Sequence, residues 1–225
     1  LFARTGEPSA HDNGRTDTEM TNILELHGAP TGNCIRAAIA LEEAELRYTV
    51  RFVDLANHEQ KQSAHLALNP AAKVPVLVEK EADEAPFVIT QSNAIVFYAA
   101  EKRPGRLLPE DDRARAVAYE RFFFFVTDVI APSHAAFFLG RAGASEARAL
   151  LTERMLANLA IAEQYPNANG YMAGKSFSIA DIPAFTITSS VKEHLPWNQL
   201  PNLRRWYERI EARPAVARGY RAFKV

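Results

Sequence analysis

Apolar residues follow two rhythms along this chain, and the change falls near residue 103. In the first stretch, Ile23-Leu24-Glu25-Leu26-His27 is a short apolar run ending at Gly28-Ala29-Pro30-Thr31-Gly32, the pattern of a buried strand entering a turn. Ile35, Ile39 and Leu41, spaced by alanines, predict a helix from 33 to about 44. Residues 48–53 alternate like a strand, and 59–68 predict a helix that Asn69-Pro70 stops. Residues 74–78 and 87–90 predict two more strands around an acidic turn from Glu81 to Glu84, before a helix opening at Ala94. The order βαβαββα implies a right-handed crossover with parallel pairing in its first half and an antiparallel hairpin in its second. Beyond Arg103-Pro104-Gly105 every segment has the helical period: 111 to about 139, 144–165, 179–191, 202–210 and a last turn after Pro214. The expected layout is an arm over 1–21, an α/β domain over 22–102, a linker over 103–110 and an all-helical domain over 111–225.

Charge narrows the partners. Lys+Arg 26 against Asp+Glu 27 leaves a net charge of -1, and no basic run is long enough to track a phosphate backbone, so no nucleic acid is expected. Cys34 is the single cysteine, which excludes an internal disulfide and a multi-cysteine metal site and fits a reducing, cytoplasmic setting. The six histidines show no ligand spacing, so no metal is expected. No stretch reaches the roughly 18 consecutive apolar residues of a membrane helix, so no membrane partner is expected either. The arm carries Gly, Pro, Ser, Asp and Asn without an apolar core. It is expected to be a native extension or a cloning remnant, with Met20 as an alternative start, ordered only by docking and not a signal peptide.

Three local motifs carry chemistry: Asn69-Pro70-Ala71-Ala72-Lys73-Val74-Pro75-Val76-Leu77, Gln91-Ser92-Asn93-Ala94-Ile95 and Phe177-Ser178-Ile179-Ala180-Asp181. In this order, on an α/β half joined to a helical half, they resemble the glutathione transferases over about residues 22 to 224. The resemblance implies a thioredoxin-like N-terminal domain and glutathione as co-substrate, with no other cofactor. A cis Val74-Pro75 would turn the Val74 amide and carbonyl outward, where an extended peptide pairs as an added strand; the alternative is an ordinary strand-entry proline. Ser92 suits an N-cap, and the positive end of its helix stabilises a carboxylate. The resemblance places the γ-glutamyl carboxylate there, with Gln91 at the amino end; the alternative is a cap serving its own helix. Ser178-x-x-Asp181 has the form of a capping box and reads as structural.

The turn after the first strand is where this family stabilises the glutathione thiolate. Here it reads Ala29-Pro30-Thr31-Gly32-Asn33-Cys34, with neither tyrosine nor serine. The spacing of Thr31-Gly32-Asn33 from Leu41-Glu42-Glu43-Ala44 is similar to the nu-class pattern, as is that of Gln60 from Lys73, although Gly32 replaces the class's proline. The resemblance therefore implies Asn33 and Thr31 as the groups that hold the sulfur, with Gln60, Lys73, Val74, Pro75, Gln91 and Ser92 binding glutathione. Cys34 is the rival nucleophile, one residue and about 100° away around the helix.

Phe122-Phe123-Phe124-Phe125 sweeps about 300° of a helix, more than one core stripe accommodates. Tyr119, Phe122 and Phe123 are expected either to line an apolar acceptor pocket or to pack in the core, with surface left for a homodimer partner. The function these readings imply is attack by a glutathione thiolate on a small hydrophobic electrophile or a disulfide. The alternatives are a non-catalytic regulatory or interaction module on the same scaffold, and a Cys34-dependent thiol–disulfide reductase.

Overall fold

A computed structural model describes residues 23–82, 84–167 and 170–224, so the arm expected over 1–21 lies outside the described residues. Four strands, β1 (Ile23–Gly28), β2 (Tyr48–Phe52), β3 (Val76–Lys80) and β4 (Phe87–Ile89), form one sheet in the order β2-β1-β3-β4. β1 pairs parallel with β2 and antiparallel with β3, and β3 pairs antiparallel with β4, as the element order implied. Between them run α1 (Gly32–Glu43), α2 (Ser63–Leu68) and α3 (Ser92–Lys102). This is the expected thioredoxin-like half. Two elements differ from expectation. β3 begins two residues late, because the cis Val74-Pro75 unit precedes the strand. The helix expected over 59–68 is divided, because Gln62 takes an extended conformation between a 3₁₀ turn (Glu59–Lys61) and α2.

The second half is helical: α4 (Asp112–Phe123), α5 (Ala131–Arg141), α6 (Ser145–Ile161), α7 (Asp181–Val191), α8 (Pro201–Glu211) and α9 (Pro214–Arg221). A π-helical segment, Phe124–Ile130, joins α4 to α5 without a break. The resulting run, Asp112–Arg141, is long and apolar enough by length and composition to cross a membrane, contrary to the expectation that no such segment exists. Thr127, Asp128 and His134 interrupt its apolar runs, which is why counting consecutive apolar residues missed it. Ala118, Phe122, Phe125, Val129, Ile130 and Ala136 along it are buried in the core.

The wider turns of the π segment divide the four phenylalanines. Phe122 meets Phe97 of α3 at 4.9 Å between ring centroids, whereas Phe124 and Phe125 turn to Tyr165.

Helix α1 joins the two halves. Its alanines let α3, α7 and α9 pack directly on it, and Ala37, Ala38, Ile39, Ala40 and Leu41 are all buried. At its C-terminal end Glu43 receives a two-armed ion pair from Arg213, at 2.6 and 2.7 Å. Deep in the helical half, the Asp181 carboxylate collects N–H groups from Met172 (2.9 Å), Ser178 (2.9 Å) and Trp206 (2.8 Å), with the Ser178 hydroxyl at 3.3 Å. Burial pushes that carboxyl up to about 6, against the pull of these donors, and it is ionised at neutral pH. The Ser178/Asp181 pair is structural, as expected.

Gly219 of α9 lies so close to α1 that a Cβ there would stand 2.7 Å from the Ile39 amide nitrogen. Alanine favours a helix over glycine by up to about 1 kcal/mol, but overlap with backbone cannot be relieved by a rotamer change. Gly219→Ala is expected to lower the unfolding free energy by about 1–3 kcal/mol. Urea unfolding measures it, and an unchanged midpoint would mean that α9 can shift away from α1.

Candidate functional site

A cleft of about 290 Å³ opens where the C-terminal end of the sheet meets the π segment and α5. Its floor comes from the 69–75 loop, one wall from the start of α1, another from residues 90–93, and its roof from Val126, Ile130, Ala131 and His134. The loop is built by short-range bonds. Asn69 Nδ2 donates to the Lys73 carbonyl (2.8 Å), His65 Nε2 contacts that same carbonyl (3.0 Å), and Asn69 Oδ1 accepts from the Ala71 amide (3.1 Å). Ala72 takes a left-handed conformation, with φ 53°, to close the turn. Lys73, Val74 and Pro75 are thereby delivered to the cleft.

Of the expected site residues, the fold brings Asn33, Lys73, Val74, Pro75, Gln91 and Ser92 to this one cleft. Thr31 is not in its wall: its hydroxyl is the N-cap of α1, accepting from the Cys34 amide at 3.4 Å. Gln60 is not there either, since the 3₁₀ turn holds it with its amide oxygen buried and without a hydrogen-bond partner among the described residues. Ser92 is the first residue of α3 and not its cap; Gln91 is the cap and uses no side-chain bond. Tyr119, Phe122 and Phe123 do not line the cleft. All three stack on Phe97, because the first turns of the run face α3 and only the π segment rotates the following residues towards the opening.

Four contributors escaped sequence reasoning. Val126 and Ile130 replace the expected aromatic wall. His134 stands at the cleft mouth, where partial desolvation, then the charges of Arg36 and Lys73, hold its imidazolium below the ordinary histidine range. Arg36, only 3% exposed, sends Nη1 to Asn33 Oδ1 (2.9 Å), Ser92 Oγ (3.1 Å) and Asn93 Oδ1 (3.4 Å). Its signal was present in the sequence: an arginine on the apolar side of an alanine-rich helix needs polar partners, but nothing local says which.

Cys34 is fully buried, with Sγ accepting from the Ala29 amide at 3.5 Å, and burial raises its thiol pKa. A protonated, enclosed thiol is a poor nucleophile. The cleft itself is cationic and rich in donors, and among the described residues none that lines it carries a carboxylate. A surface of this kind favours anions over cations.

Comparison with known proteins gives the family. Residues 24–101 match the glutathione S-transferase N-terminal domain, and residues 127–220 the glutathione S-transferase C-terminal domain. The chain belongs to the glutathione transferase family. It is 30% identical to glutathione S-transferase 3 of Zea mays over 207 residues, covering 85% of this chain and 90% of that one. It is 27% identical to the disulfide-bond oxidoreductase YfcG of Escherichia coli, covering 88% and 94%. A glutathione transferase from Burkholderia graminis, solved with two glutathione molecules bound per subunit, superposes with a TM-score of 0.78 at 27% identity, covering 89% and 88%.

Lowering the His134 pKa means that the neutral ring stabilises the folded chain above the unfolded value of about 6.5. That contribution is lost as pH falls through the lower native midpoint. Proton NMR is expected to show a His134 midpoint below the ordinary value, and Lys73→Met is expected to raise it by removing a facing cation. A midpoint that ignores this substitution would remove Lys73 from the field of the cleft.

Proposed function

We propose that this protein is a glutathione transferase that holds glutathione along the cleft from Val74 to Ser92 and keeps its sulfur as thiolate beside Asn33. The single observation that carries this reading is the convergence of Asn33, Lys73, Val74, Gln91 and Ser92 on one cleft without a carboxylate. An extended peptide laid against Val74 sets its γ-glutamyl carboxylate at the positive end of α3 and its cysteinyl sulfur at the turn before α1. The thiolate then attacks a second substrate, either a hydrophobic electrophile or a disulfide. Phe137 and Phe138, 58% and 65% exposed, lie one helical turn beyond His134 on α5 and extend the apolar side formed by Val126 and Ile130. They, and not Tyr119, Phe122 and Phe123, are the better candidates to receive an apolar acceptor.

Disulfide exchange through the glutathione sulfur is favoured over exchange through Cys34, whose burial withholds it from solvent. The similarity to a protein named as a disulfide-bond oxidoreductase supports the disulfide as an acceptor. The nu-class spacing of Thr31-Gly32-Asn33 is in keeping with this, with Thr31 acting through the start of α1. A non-catalytic scaffold would bind glutathione without shifting the thiol. A cytoplasmic role in detoxification, in a compartment that supplies reduced glutathione, completes the reading.

The protein is further proposed to be a homodimer. Phe123 is 52% exposed beside Phe97, and Phe87 is exposed next to Tyr98 on the neighbouring edge, an aromatic surface that a second copy would cover. Sedimentation at micromolar concentration is expected to give twice the chain mass; a single-chain particle would contradict it.

The thiolate's ultraviolet absorbance, titrated with glutathione bound and no acceptor present, tests the central claim. A hydrogen bond to a charged group contributes about 1.5–3 kcal/mol, so Asn33→Ala is expected to raise the bound thiol's pKa by roughly one to two units. Cys34→Ala is expected to leave the titration in place. A midpoint that follows Cys34 and not Asn33 would overturn the assignment.

A further inference from the structure

Arg36 is a buried cation without an anionic partner. Among the described residues it forms no ion pair, its Nε is buried with no acceptor, and every group that Nη1 meets is neutral. Burial lowers its pKa to about 10, so it remains charged at neutral pH. The titratable groups around it do not supply a counter-charge. Cys34 is a protonated thiol by reason of its burial, Lys73 is itself a cation, and His134 is held towards its neutral form. A buried charge in this state costs free energy, and proteins ordinarily pair it. Arg213 in this same chain is paired, with Glu43.

The geometry of its three bonds shows what the charge does for the cleft. A guanidinium has donors only. The Asn33 atom it meets must therefore be the carbonyl oxygen, which turns the Asn33 NH2 group away from Arg36. Ser92 Oγ accepts from the same nitrogen, which leaves the Ser92 hydroxyl proton to be donated elsewhere. Each of these side chains could accept or donate; by donating to their oxygens Arg36 leaves their own donors free for another partner.

We propose that Arg36 is a positioning residue that presents Asn33 and Ser92 as donors to glutathione, orienting the Asn33 amide towards the thiolate and the Ser92 hydroxyl towards the γ-glutamyl carboxylate. This rests on the transferase reading and extends it: one guanidinium couples the sulfur end of the site to the carboxylate end. Its own charge stays uncompensated until the anionic peptide binds. The cost of burying it is then offset by the ligand, so the empty cleft is poised for an anion of this length and not for a neutral peptide.

The experiment compares the unsubstituted protein with Arg36→Met and Arg36→Lys, reading glutathione affinity by calorimetry and the bound thiol by ultraviolet titration. Arg36→Met is expected to weaken binding about tenfold and to raise the thiol pKa by roughly one unit, the scale of a lost charge-assisted interaction. Arg36→Lys keeps the cation but not the planar fork, and is expected to restore affinity more than it restores the thiol pKa. Combining Arg36→Lys with Asn33→Ala is expected to shift the thiol pKa no further than Asn33→Ala alone, since Arg36 acts on the sulfur through Asn33.

A folded Arg36→Met protein with unchanged affinity and titration would overturn the proposal. If that variant does not fold, the lysine series decides, and additive pKa shifts would overturn it there. Absence of glutathione binding by the unsubstituted protein would overturn the transferase reading and this proposal together. Binding that the Arg36 variants leave untouched would overturn this proposal alone.

Discussion

The burial of most of α1 is the constraint on which the rest of the structure depends. Helices α3, α7 and α9 all approach this helix, and they can do so because alanine fills four of the eight positions from Ala37 to Ala44 and α9 brings glycine where contact is tightest. A helix this enclosed cannot rotate or translate without disturbing both halves. Its N-terminal turn is therefore a fixed platform, and whatever side chains it carries are fixed with it. Asn33 and Arg36 owe their geometry to that enclosure, and the two-armed bond from Arg213 to Glu43 secures the opposite end.

Buried charge is handled in two contrasting ways. Asp181 and Glu43 sit away from the cleft and are satisfied inside the chain, the first by a ring of donors and the second by a guanidinium. Removing a partner from such a group leaves several polar atoms stranded, which is why they belong to the framework. Arg36, at the cleft, is bonded only to neutral oxygens. The difference separates groups that hold the fold from a group whose electrostatic partner comes from outside. Lys73 extends the same positive field, and the neutral form of His134 is favoured by it.

Much of this was legible from residue order. Period-two and period-3.6 patterns identify strands and helices from their own neighbours, and Asn69-Pro70, Val74-Pro75 and Gln91-Ser92 mark backbone events within a few residues, so the βαβαββα element order and the 69–75 loop followed. The family resemblance also pointed to the six binding residues that the fold brings to one cleft. Only the tertiary structure decided the roles of Thr31, Gln60, Tyr119, Phe122 and Arg36. The Thr31 hydroxyl caps a helix and the Gln62 conformation divides another; Phe122 and Phe123 end α4 before the π segment that brings Val126 and Ile130 to the opening. Arg36 finds Ser92 and Asn93 56 and 57 residues away. The physical reason is range: dihedral preference and hydrophobic period act between neighbours, whereas the direction of a side chain in a cleft is set by whatever distant surface closes over it.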